Sequence, residues 1–101
     1  MAEFAGDSFN RIRLEYDEQY NVVIRKISKN DTIIRDLQLK QNIISTLNSS
    51  FPEYSEELDK ITNELIIAER YTETLNSEKI YIIRKLKGLD SLQGITSSNY
   101  I

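Results

Sequence analysis

Residues 48–58 read NSSFPEYSEEL and hold Pro52, the single proline of this 101-residue chain. They lie between two long stretches of helical period, so their reading decides whether the chain doubles back or runs on as one rod. Proline in a first helical turn costs little, because those backbone N–H groups lack intrahelical partners, and it pushes the preceding residue, Phe51, away from α geometry. Asn48, Ser49 and Ser50 supply turn chemistry just upstream. Ser50 and Glu53 have capping-box spacing, and Glu53, Glu56, Glu57 and Asp59 crowd first turns where the helix dipole favours negative charge. A new helix starts here, and Ser50, Pro52 and Glu53 are the expected hairpin-turn residues.

Upstream, with Asp7 as a candidate N-cap, Phe9, Tyr16, Val23, Leu37 and Ile44 form one heptad row in which Asn30 holds a single polar place. Tyr20, Ile27, Ile34 and Gln41 form its companion. Ile12, Ile24, Ile33 and Leu47 flank the seam and widen it towards contact with more than one neighbour. Downstream, Tyr54, Ile61, Ala68, Leu75, Ile82 and Leu89 make one row, and Leu58, Leu65, Thr72, Lys79 and Leu86 the other. Carrying the first register across residue 50 fails by three residues, a slip that a continuous coiled coil would have to absorb as a stammer. Lys79, Arg84, Lys85 and Lys87 then gather where a helix C-terminus favours cations, Gly94 is a candidate C′ residue and Gly88 an earlier stop. The organisation expected is a disordered leader over 1–6, a first helix over 7–49, a second over 50–93 and a frayed tail over 94–101, within one domain.

A reversal near residue 51 makes facing residue numbers sum to roughly 102, which can be checked against the sequence. Leu37 meets Leu65, Ile44 meets Leu58, Ile27 meets Leu75, Tyr20 meets Ile82 and Tyr16 meets Leu86. Asn30 falls level with Thr72, a polar break opposite a polar break, as a buried amide requires. Outside the seam Glu15, Asp17 and Glu18 lie level with Lys87, Lys85 and Arg84, and Lys29 with Glu73. Gln41 and Lys79 face apolar residues without a polar partner. These matches favour the antiparallel hairpin over a continuous parallel rod, and leave the rod open as the alternative.

Composition narrows the function classes. A thin two-helix chain of this length has little interior of its own, so a partner chain is expected. Net charge is −3, which argues against a general nucleic-acid binder, because phosphate recognition draws on a surplus of Lys and Arg. There is no cysteine or histidine, no glycine-rich phosphate loop and no nucleophile elbow, so no enzyme, metal or cofactor is expected. The acidic runs EYDE and EYSEELD read as solvated faces or dipole partners rather than cation sites. No apolar run approaches the roughly 20 residues of a membrane span, and the start MAEFAGDSF lacks the pattern of a signal peptide. An intracellular location, cytoplasmic or nuclear, is the expectation.

Three features remain to carry function. Asn30 with Thr72 forms a polar layer of the kind that fixes register and strand number. Tyr16, Tyr20 and Tyr54 fall in the seam, whereas Tyr71, Tyr81 and Tyr100 do not. With Ile66, Ile67, Ile80 and Ile83, Tyr71 and Tyr81 make the second helix apolar on more than one side, and that second face reads as a self-association or partner surface. The stretch LNSEKIYIIRKLKGLD resembles the coiled-coil segment of microtubule end-binding proteins, with Glu78, Lys79, Tyr81, Lys85, Leu86 and Lys87 matching by type. The family's aromatic triplet is missing, and no function is carried over. The expectation is an all-α antiparallel hairpin or coiled coil, associating into a homodimer or heteromeric bundle. Its role would be an oligomerisation, scaffold or assembly subunit of cytoskeletal, chromosome-associated or trafficking machinery. The alternative is a SNARE-like or membrane-tethering coil, against which the acidic first turns and the lack of a basic polar face both count. A nucleic-acid adaptor is disfavoured by the charge.

Overall fold

A computed structural model describes the backbone of residues 2–98 and the side chains of residues 7–92. The chain is an all-α helical hairpin: α1 spans Ala2–Ser50, a single 3₁₀ turn spans Pro52–Tyr54, and α2 spans Ser55–Ser98.

The reversal is built around Phe51. Its backbone is extended, at φ −131° and ψ 97°, as the residue before a proline should be. Its N–H still donates to the Leu47 carbonyl (2.8 Å) and closes α1, while its own carbonyl accepts from the Tyr54 N–H (3.2 Å). The expected capping box does not form. Because Pro52 forces Phe51 rather than Ser50 out of helical geometry, Ser50 ends α1, Phe51 takes the cap position without a side-chain cap bond, and Glu53 sits one place too early to return a bond. The tie across the turn comes instead from Ser55, whose hydroxyl donates to Asn48 Oδ1 (3.0 Å).

The helices also run further than the sequence signals place them. Asp7 lies inside α1 rather than capping it, residues 2–6 continue the helix upstream, and α2 passes through Gly88 and Gly94 to Ser98. No glycine takes a positive φ among the described residues. A helix-interior glycine costs about 1 kcal/mol relative to alanine, which weakens a long helix without stopping it. The last tail residues, including Tyr100, lie outside the described residues.

The packing falls into two compact units, Lys26–Asn76, which contains the turn, and Met1–Arg25 with Ser77–Ile101. In the Lys26–Asn76 unit Leu37, Leu65 and Ala68 form the buried centre, with Ile34 and Ile61 packed on it. Leu75, 1% exposed, is its deepest side chain. Leu37 and Leu65 are the facing pair that reversal predicts. In the other unit Val23, Ile82 and Leu89 are buried. There Arg13 pairs with Asp90 and Lys85 lies over Tyr16, so the two segments run antiparallel.

Threonine is a weak helix former, yet five threonines with described side chains sit inside these helices. Each hydroxyl returns a bond to the carbonyl four residues back: Thr32 to Ser28, Thr46 to Asn42, Thr62 to Leu58, Thr72 to Ala68 and Thr74 to Arg70. Two of these hydroxyls also accept across the hairpin.

Candidate association surface

The first element of the site is polar and lies within the Lys26–Asn76 unit. Asn30, 5% exposed, donates through Nδ2 to Thr72 Oγ1 (2.7 Å) and to the Ala68 carbonyl (2.9 Å). The heptad places the amide in the seam, and the Thr72 hydroxyl, donating backwards to Ala68 O (3.3 Å), presents a lone pair to it. Buried amides persist only where such partners exist. Among the described residues, no buried side-chain nitrogen or oxygen lacks one.

A second rung repeats the design nearer the turn. Gln41 Nε2 donates to Thr62 Oγ1 (3.3 Å), and the Thr62 hydroxyl donates to the Leu58 carbonyl (2.8 Å). Gln41 is therefore partnered, contrary to the expectation from facing positions, because a glutamine side chain reaches one residue past its strict opposite, Ile61. Amide on α1 and threonine on α2 is the shared signature.

Beside these rungs lies an open groove of about 360 Å³, lined by Asn30, Ile33, Leu37, Glu64, Ile67, Ala68 and Tyr71. Its floor is the hairpin core; its walls are side chains without cover. Ile67 is 66% exposed, and Ile33 and Tyr71 are each 44% exposed. Large apolar side chains scattered singly are normal at a surface, but here three converge on one concave strip.

The second apolar face expected on α2 is thus divided rather than single. At 100° per residue, Ile67 and Tyr71 fall on the flank that α1 extends with Ile33, whereas Ile66, also exposed, turns to the other flank. In the Met1–Arg25 and Ser77–Ile101 unit the same division separates Tyr81 from Ile80 and from the half-buried Ile83. Ile33 completes the groove from the opposite helix. It was legible as a flanking position, but only projecting both helices together shows that it joins Ile67 and Tyr71.

In that unit Lys85 takes the place of an expected ion-pair partner. Its Nζ lies 4.3 Å from the Tyr81 ring centre and 5.2 Å from that of Tyr16. Hydrogen bonding to Tyr81 raises the Lys85 pKa above the ordinary lysine value against the opposing pull of desolvation, and the charges of Tyr81 and Tyr16 add to the rise. The levelled pairs of Glu15, Asp17 and Glu18 with Lys87, Lys85 and Arg84, and of Lys29 with Glu73, do not close as ion pairs; Arg13 with Asp90 does. Among the described residues no group of three or more acidic side chains is arranged to hold a metal ion, and no helix is long and apolar enough to cross a membrane.

Comparison with protein-family models, curated proteins and solved structures finds no match. The likeness of Leu75–Asp90 to end-binding coiled coils stands on that stretch alone.

Proposed function

We propose that this chain is a non-enzymatic assembly module whose work is protein–protein association by helix packing, with the groove of the Lys26–Asn76 unit as the docking surface. The observation that carries the reading is the convergence of exposed Ile33, Ile67 and Tyr71 on an open strip directly over the hairpin core. A helix or helix pair laid into that strip would bury those side chains as ridges into a groove. The buried Asn30–Thr72 rung beneath it supplies specificity, since a slipped pairing of the arms would strand an amide among leucines.

The test is a photo-cross-linker placed in the full chain at Tyr71, with Arg70 on the outer face as control. Expected are protein adducts from position 71 that disappear in the Ile67→Lys background, and few from position 70. Equal labelling from both positions, or none from Tyr71, would remove the groove from the account.

A further inference from the structure

We infer that the occupant of this groove is the same groove of a second copy of the chain, related by a two-fold axis parallel to the helices so that each α1 lies beside the partner's α2. This rests on the helix-packing reading above and gives it a partner.

Charge selects the copy and its orientation. On the groove side of the Lys26–Asn76 unit the α1 arm carries Lys26, Lys29 and Lys40 against Asp36, while the α2 arm carries Glu57 and Glu64 against Lys60. No ion pair within this unit neutralises them: the Arg13–Asp90 pair belongs to the other unit. A surface that is basic along one edge and acidic along the other complements itself when turned about an axis running along the helices. The alternative two-fold, lying across the helices, would lay the lysine-rich α1 edge along its own copy and repel. The favoured axis also sets α1 antiparallel to the partner's α2, so their helix dipoles oppose.

Levels agree as well. Neighbours across the interface keep the facing register of the hairpin, which brings Ile33 beside the partner's Ile67 and the partner's Tyr71. Lys40 meets the partner's Glu64 at the rim.

Sedimentation equilibrium of the full chain at micromolar concentration tests the stoichiometry. The expected mass is about twice 11.8 kDa, and Ile67→Lys should weaken dimerisation at least tenfold while circular dichroism stays helical. Should that variant unfold, Ile33→Ser serves the same purpose. Orientation is read by oxidising a mixture of tagged Ile33→Cys and untagged Ile67→Cys chains, which have no other cysteine. The mixed disulfide should exceed either homodimer. A chain monomeric up to about 100 µM, a dimer indifferent to both groove variants, or a dominant Ile67→Cys homodimer would overturn the inference. A monomer whose Tyr71 probe still captures a different protein would overturn the second copy and leave the helix-packing reading intact.

Discussion

Replacing Thr72 by valine, Asn30 by leucine, and then both, should give strongly non-additive stabilities. Thr72→Val keeps the shape of the side chain but removes the acceptor of the 2.7 Å bond, so Asn30 keeps its bond to Ala68 O and is left with one buried N–H unmet. Such an orphan costs about 1–3 kcal/mol. Asn30→Leu removes two bonds worth about 1 kcal/mol each, yet it orphans nothing, because Thr72 still donates to the Ala68 carbonyl. Burying a leucine at a site 5% exposed returns about 1.5–3 kcal/mol, so this variant should end within about 1 kcal/mol of the parent. In the Asn30→Leu background Thr72→Val should then cost almost nothing. The coupling is the difference, about 1–3 kcal/mol. Urea unfolding at one fixed protein concentration measures it, since association shifts apparent stability; a 2 kcal/mol change moves the midpoint by on the order of 1 M. Additivity within about 0.5 kcal/mol would refute the claim that the rung acts as a unit.

Gly88→Ala should stabilise the chain by about 0.5–1 kcal/mol, seen as a higher melting temperature, because a Cβ there meets nothing within 4 Å and the backbone is already helical. An unchanged or lower melting temperature would mean that Gly88 is not held in a helix interior. Pro52→Ala should lose about 0.4–1 kcal/mol by freeing the unfolded chain at a site where the ring fits without strain, measured by the same urea assay; no loss would show that the turn does not depend on the ring. Titrating the Lys85 side chain by NMR should give a midpoint above the ordinary lysine value, returning towards it in Tyr81→Phe. Its charged form is therefore retained throughout neutral pH, and whatever it contributes is lost only as pH rises through that elevated midpoint. A midpoint indifferent to Tyr81→Phe would contradict the contact.

The reversal at Phe51, the two heptad rows and the Asn30–Thr72 level were legible because each follows from period and from one proline, which act locally and add up along the chain. The helix start was not placed correctly by the capping box. Ser50 and Glu53 have the right spacing, but Pro52 dictates the backbone of Phe51, and this steric constraint outranks a side-chain bond. Surface charge pairing failed for a different reason. Long exposed side chains gain little from closing an ion pair, and Lys85 takes the tyrosine faces instead of Asp17. The Gln41–Thr62 bond escaped because facing arithmetic treats side chains as having no reach. The groove escaped because its walls come from both helices, and one helix's pattern cannot show which of its two flanks the other extends.

Everything in this account depends on residues far apart in sequence standing side by side across the Lys26–Asn76 unit. Spin labels at Thr32 and Arg70, diluted into unlabelled chain to suppress distances between copies, measure this directly. Helix neighbours pack about 8–10 Å apart axis to axis, and both labels point outwards from the seam, so with label arms the pair should report a separation of roughly 30 Å. A continuous rod would place the same two residues roughly 57 Å apart, from 1.5 Å of rise per residue. The shorter distance is predicted; the longer one would contradict the hairpin, the rungs and the groove together.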